Sequence, residues 1–137
     1  MILELEPQLP EIARLQREVE AFGLEHGLNE EAIFDLTLAV EEIVTNVILY
    51  AFDTPGEHRV RLEIKSEGGE VIASVIDDGR PFDPLQKPEP DLSKPIEERP
   101  IGGLGIFLTK KLMDEVTYER RDGRNILTMR KRFPPLP

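Results

Sequence analysis

Two segments in the middle of the chain, HRVRLEIKS and EVIASVIDD, alternate between apolar and polar residues and are joined by the short turn EGG. Alternate positions in both segments are apolar: Val60, Leu62, Ile64, Val71, Ala73 and Val75. This period is typical of strands buried on one side, and the short connection predicts an antiparallel hairpin. The segments VTYERR and ILTMRKRF predict a second hairpin, because the dipeptide Asp122-Gly123 between them favours a tight turn. The fold must therefore cover one face of a mostly antiparallel sheet.

Helical segments precede and separate these hairpins. From Glu11 to His26 the apolar residues recur at steps of three and four, which predicts a helix. Asn29 is suited to cap a second helix that runs to about Ala51, and GGLGIFLTKKLMDE predicts a glycine-rich turn entering a third. With a short first strand at residues 2–6, this order predicts an α+β fold in one domain over 1–137, a two-layer sandwich with helices on one face of a mixed, mostly antiparallel sheet.

Composition narrows the class of protein. The formal net charge is -10, from 27 acidic and 17 basic side chains. Proteins that bind nucleic acid usually carry a basic surface, so this balance argues against direct nucleic-acid binding. The absence of cysteine excludes disulfides and thiolate metal sites. No basic start with a long apolar run and no stretch of about 20 apolar residues is seen, so we expect no membrane span and a cytoplasmic protein.

The second helix contains a polar group in a segment that is otherwise apolar, EEIVTNVILYAF. Glu42 and Asn46 are four residues apart and lie about 40° apart around the helix axis, whereas Glu41 points about 140° away from Asn46. An amide oxygen suits Mg²⁺, and a carboxylate one turn away can accept a proton from a nucleophile. The alternative is that Glu42 is solvated and Asn46 bonds to nearby backbone.

Two further motifs combine carboxylates and glycines. In VIDDGRPFDP, Asp77 ends a strand and could accept a hydrogen bond from an exocyclic amine such as that of adenine, while Gly79 leaves room for a flat ring. An ordinary turn explains the same residues. In IGGLGIFL, glycines at 102, 103 and 105 open a helix whose backbone N–H groups could approach phosphate oxygens, and the alternative is a plain junction between loop and helix.

In this order the three motifs resemble the GHKL ATPase superfamily, which is named for gyrase, heat-shock chaperones, histidine kinases and mismatch-repair ATPases. The resemblance extends from about residue 8 to residue 133. The stretches DDGRPFDP, GGLGIFLTKKLMD and NILTMRKR are similar to those of the anti-sigma factor serine/threonine protein kinases of bacterial partner switching.

The resemblance implies a role for each motif residue. It implies that Glu42 is the general base, that Asn46 holds Mg²⁺, and that Asp77 reads the adenine amino group with Gly79 beside it. It further implies that three glycines line the phosphates, that a threonine on a late strand supports the adenine site, and that an arginine in the lid reaches the terminal phosphate: Gly102, Gly103, Gly105, Thr128 and Arg99. The ATP lid would extend from about residue 84 to 101.

The implied function is that of an ATP-dependent serine/threonine protein kinase. It would use ATP and Mg²⁺, sequester a sigma factor, phosphorylate the small anti-sigma-factor antagonist, and form a homodimer. A non-catalytic, ATP-dependent protein-binding switch of the same fold is the alternative. A detached catalytic domain of a histidine kinase is less favoured, since the chain has only two histidines, at 26 and 58, and no separate dimerising helical pair. Five basic residues near the end are expected to form a solvated sheet edge: Arg120, Arg121, Arg124, Arg130 and Lys131.

Overall fold

The computed structural model describes residues 1–52, 58–86 and 103–133, and it contains eight regular elements in these ranges. Their bounds are β1 (Ile2–Leu5), α1 (Glu11–Glu25), α2 (Glu30–Tyr50), β2 (Val60–Glu67), β3 (Glu70–Asp77), α3 (Gly103–Leu112), β4 (Glu115–Arg121) and β5 (Arg124–Arg132). A single 3-10 turn, Pro84–Gln86, follows β3.

The strands form one sheet in the order β1-β2-β3-β5-β4, and all four neighbouring pairs are antiparallel. Both predicted hairpins are confirmed: β2 pairs with β3, and β4 pairs with β5. The turn between β4 and β5 has positive φ at Asp122 (53°) and Gly123 (76°), the conformation that an Asp-Gly turn requires. The long connection after β3 returns the chain so that β5 lies next to β3, which makes β3 the central strand.

The helices cover one face of this sheet, so the predicted two-layer α+β sandwich is confirmed, although the sheet of the described residues is entirely antiparallel and not mixed. The alternating side chains of the central strand point in turn toward the helices and away from them, as its burial pattern shows. Asn29 caps α2 as predicted, because its side chain accepts a hydrogen bond of 2.8 Å from the Ala32 backbone N–H. The core between the layers is apolar and includes the fully buried Leu15, Leu36 and Met129.

Candidate functional site

The buried amide of α2 and the carboxylate at the end of β3 lie in the same cavity. Asn46 and Asp77 are each only 3% exposed. The cavity between α2 and the sheet has a volume of about 10 Å³ and is lined by Ile43, Asn46, Val47, Val75, Asp77, Phe82, Pro84, Tyr118, Asn125 and Leu127. Two polar residues that are far apart in the sequence therefore line one largely apolar enclosure.

The amide nitrogen of Asn46 has a hydrogen-bond partner, whereas its amide oxygen has none. Its Nδ2 donates a hydrogen bond of 2.7 Å to the backbone oxygen of Glu42, which is the local contact that the alternative interpretation expected. Its Oδ1, however, is buried and has no hydrogen-bond partner. An unpartnered buried acceptor costs about 1–3 kcal/mol. A neutral oxygen in this state is a suitable ligand for a hard cation, so the residue fits Mg²⁺.

Glu42 lies one helical turn before Asn46 and is half-buried. Burial raises the pKa of the Glu42 carboxyl above its ordinary value, and the charge of the neighbouring Glu41 raises it further. A carboxylate with a raised pKa holds a proton more firmly than an exposed one, which suits a general base. Glu42 does not line the cavity of Asn46 and Asp77, so it stands beside that cavity.

Asp77 is held by two hydrogen bonds to one of its oxygens. Its Oδ1 accepts from the Gly79 backbone N–H at 2.9 Å and from Asn125 Nδ2 at 2.9 Å. Burial raises the pKa of the Asp77 carboxyl, whereas these two hydrogen bonds and the charge of Arg120 oppose the increase. The carboxylate is therefore fixed in orientation at the strand end, as a group that reads one edge of a base must be.

Gly79 is required by the packing of the chain against α2. A Cβ at this position would lie 2.3 Å from the backbone oxygen of Ala51. The next residue continues this contact, since the Arg80 N–H donates to the same oxygen at 2.9 Å. The missing side chain thus makes room for the end of α2. The sequence had instead suggested that it makes room for a flat ring. A contact between Gly79 and a bound base stays a prediction.

Asn125 is the functional candidate that the motifs did not reveal. It is 3% exposed, and it stands opposite Asp77 in the register between β3 and β5. Besides binding Asp77, its Nδ2 donates to the Arg80 backbone oxygen at 2.8 Å. Its Oδ1 accepts from Tyr118 Oη at 2.5 Å and from the Phe82 backbone N–H at 3.2 Å. Asn125 therefore connects the carboxylate to the segment that closes the cavity.

Arg120 belongs to the same group of contacts. Its Nη1 donates to the Gly79 backbone oxygen at 2.8 Å and to Asn125 Oδ1 at 3.3 Å. Arg120 is nevertheless exposed on the edge strand β4, as expected of a solvated sheet edge, and so is Arg121, which pairs with Glu119. The expectation was wrong for Arg130 and Lys131, which are half-buried on the inner strand β5.

The prediction for Thr128 was wrong. Its side chain lies on the open face of the sheet, where its hydroxyl is 3.1 Å from that of Ser74. Alternate residues of a strand point to opposite faces, so Thr128 points away from the cavity that Asn125 and Leu127 line. Thr128 therefore does not support a base bound beside Asp77, whereas Asn125 lies on the same face as Asp77 and contacts it.

The third helix directs its N-terminus toward the same end of the helix layer. Its last turn is fixed to the far part of β5, where Lys131 Nζ donates to the Leu112 backbone oxygen. The middle of α3 contacts α2 at Ala39, which precedes Asn46 along that helix: Thr109 Oγ1 donates to the Ala39 backbone oxygen at 3.3 Å. The helix begins at Gly103, which confirms that these glycines open it, and Gly105 lies in its first turn. Residues 87–102 lie outside the described residues. They include Arg99, Gly102 and most of the predicted lid.

The cavity is closed by the segment that follows β3. Pro84 is buried, Leu85 packs against the core, and Phe82 lies 6.3 Å from the Tyr50 ring, measured between centroids. A volume of about 10 Å³ holds roughly one water, so a purine cannot enter unless this segment moves. The first three residues of the predicted lid, 84–86, therefore form a folded 3-10 turn over the site.

The two-layer fold, with helices on one face of an antiparallel sheet, is that of an ATPase domain of the histidine-kinase type. The chain matches the histidine kinase-like ATPase domain family over residues 5–131. It is 34% identical over 103 residues to the serine/threonine-protein kinase BtrW of Bordetella bronchiseptica, an alignment that covers 74% of this chain and 72% of that protein. It is 30% identical over 126 residues to the serine-protein kinase RsbW of Listeria monocytogenes, covering 88% of this chain and 80% of that one.

Among solved structures, the chain is similar to the RsbU and RsbW domains of a Mycobacterium tuberculosis protein. The TM-score is 0.65 at 18% identity, and the match covers 98% of this chain and 34% of that one, so it concerns the fold alone. From the sequence matches, the chain belongs to the histidine kinase-like ATPase domain family and to the serine/threonine protein kinases that include RsbW and BtrW. Within the ranges that the structure describes, no helix is both long enough and apolar enough to cross a membrane.

Proposed function

We propose that this chain is an ATP-dependent serine/threonine protein kinase that acts as an anti-sigma regulatory factor. The observation that carries the proposal is the unpartnered Oδ1 of Asn46 inside the cavity that it shares with Asp77. Its relatives BtrW and RsbW are a serine/threonine-protein kinase and a serine-protein kinase, and they match over most of the chain. Its protein substrate is a small anti-sigma-factor antagonist with a serine acceptor, its second partner is a sigma factor, and it works as a homodimer.

Each group of the site has a distinct task in phosphoryl transfer. Asp77 accepts a hydrogen bond from the amino group of adenine, and Asn125 holds that carboxylate in position. Asn46 Oδ1 is the protein ligand of Mg²⁺, which, when bound, gathers the phosphate oxygens and reduces their charge. Among the described residues, no cluster of three or more acidic or histidine side chains competes for the cation.

The helix that begins at Gly103 offers free backbone N–H groups to the phosphates. Gly102 and Gly105 keep side chains away from this approach, and Arg99 reaches the terminal phosphate from the lid. Glu42 takes the proton from the acceptor hydroxyl, because its raised pKa makes it a stronger base than an exposed glutamate. Transfer then depends on placement and charge more than on covalent chemistry by the protein.

The direct test is to incubate the protein with Mg·ATP and candidate antagonist proteins, and to look by mass spectrometry for one added phosphate on a serine. We expect Glu42→Gln to bind ATP normally but to transfer phosphate about 10²–10⁴-fold more slowly. Phosphorylation by Glu42→Gln at the wild-type rate would contradict the role of Glu42 as general base, and ATP binding by the wild type without phosphate transfer to any candidate antagonist would favour the non-catalytic switch. Phosphate on a histidine of the acceptor would contradict the assignment as a serine kinase.

A further inference from the structure

The outer side of the two long helices carries a groove that has no role in the site described above. It lies between α1 and α2, has a volume of about 570 Å³, and is lined by Gln16, Glu20, Leu24, Glu30, Ile33, Phe34, Thr37, Leu38 and Glu41. None of these residues lines the cavity of Asn46 and Asp77. The groove is thus a second surface on the helix that carries the candidate base.

The floor of the groove is unusually apolar for a surface. Leu24 and Phe34, one from each helix, are both 65% exposed, while Ile33 and Leu38 are half-buried beside them. A large aromatic side chain that remains exposed next to other apolar groups is typical of a contact surface for another protein. The space between two packed helices is also the shape that accepts the apolar face of a third helix.

The rim of the groove is acidic. Glu20, Glu30 and Glu41 surround the apolar floor, and α2 carries five carboxylates over Glu30–Tyr50 with no lysine or arginine. The Glu41 carboxylate accepts a hydrogen bond of 2.9 Å from Gln16 Nε2, which ties the two walls together. Charge of one sign around an apolar strip selects for a partner of the opposite charge.

We propose that this groove binds an amphipathic helix of a partner protein, whose apolar residues recur at i, i+3, i+4 and i+7 and are flanked by lysine or arginine. A second copy of this chain fits less well, because a two-fold dimer through the groove would place carboxylates against carboxylates. The proposal does not depend on phosphotransfer. Loss of kinase activity and loss of groove binding are therefore separate results.

The test uses a synthetic helical peptide with leucines at those four spacings and lysines on its flanks, measured by fluorescence anisotropy without nucleotide. Phe34→Ser should weaken binding about tenfold, the effect of removing a central aromatic contact. Leu49→Ser is the matched control, because Leu49 is an exposed residue of the same helix (46%) outside the groove. Equal loss in both variants would overturn the proposal.

The charge requirement is tested by two changes. Glu30→Lys should weaken binding more than Glu31→Lys, because both residues lie in the first turn of α2 but only Glu30 lines the groove. A peptide with glutamates in place of the flanking lysines should bind at least about tenfold more weakly, and added salt should reduce the difference. Equal binding of the two peptides would overturn the proposal. So would sedimentation data in which Phe34→Ser dissociates a dimer.

Discussion

Replacing Asn46 by leucine tests the central feature of the site, because leucine has the same branching but no polar atom. The change removes a buried acceptor that has no partner, which is worth about 1–3 kcal/mol in favour of the folded state. It also removes the 2.7 Å hydrogen bond from Nδ2 to the Glu42 oxygen, a loss of about 0.5–1.5 kcal/mol. That oxygen remains within the hydrogen-bonding pattern of α2.

Together the two terms place Asn46→Leu between about 0.5 kcal/mol less stable and about 2.5 kcal/mol more stable than the wild type in the absence of nucleotide. The neighbours favour the substitution, since Ile43, Val47, Val75 and Leu127 line the same cavity. Binding should respond in the opposite direction. Mg·ATP at a hundred times its dissociation constant should stabilise the wild type by about 2.7 kcal/mol and the variant by far less.

Urea unfolding followed by circular dichroism measures both quantities, with Mg·ATP, with ATP and EDTA, and without nucleotide. The matched control is Thr37→Val, because Thr37 Oγ1 is also buried without a partner on α2 but lies outside the nucleotide cavity. Thr37→Val should keep the full stabilisation by Mg·ATP. If Asn46→Leu lost more than about 1 kcal/mol without nucleotide, or kept the wild-type response to Mg·ATP, the assigned role of Oδ1 would be wrong.

Three other substitutions have expected outcomes. Glu42→Gln should raise the urea midpoint at pH 7, because a carboxyl whose pKa is raised by folding destabilises the protein above its ordinary pKa; the gain should vanish as the pH falls below that value. Asn125→Ala should abolish stabilisation by ATP and cost about 2–4 kcal/mol in urea unfolding, since it removes one of the two hydrogen bonds to Asp77 Oδ1 and the hydrogen bond to the Arg80 backbone oxygen. Thr128→Val, on the opposite face, should leave ATP binding unchanged. Gly79→Ala should destabilise the protein by about 1–3 kcal/mol in thermal or urea unfolding, because the new methyl group meets the Ala51 oxygen at 2.3 Å; a stability within error of the wild type would contradict this contact.

The local parts of the fold could be predicted from the sequence because they depend on neighbouring residues. Strand alternation gave both hairpins, and the side-chain oxygen of Asn29 caps α2 as its position before two glutamates indicated. The spacing of Glu42 and Asn46 put both on one side of the helix for the same reason. These predictions need no knowledge of which strand lies beside which.

The long-range parts of the site could not be read in the same way. Asn125 meets Asp77 only because β3 and β5 pair in one particular register, across a connection of more than forty residues. The resemblance named a threonine on a late strand, but alternate residues of a strand lie on opposite faces, and Thr128 lies on the face away from Asp77. A signal was available, since Leu127 and Met129 are apolar and alternate with Thr128, which places Asn125 on their buried face. The closure over the cavity had no such signal, because residues 79–86 have no period.

The polar groups of the site share one energetic property, which connects stability to function. Asn46 has an unsatisfied oxygen, and burial raises the pKa values of both Glu42 and Asp77. Each of these groups makes the ligand-free protein less stable than an apolar residue of the same size would. Under the proposed function, a nucleotide that brings a cation to Asn46 and an amine to Asp77 would compensate two of the three deficits, and this binding energy would help to move the segment at Phe82 and Pro84. The closed cavity and the unsatisfied oxygen of Asn46 are therefore two aspects of one arrangement, in which the ligand-free protein holds its polar site groups buried beneath the segment that follows β3.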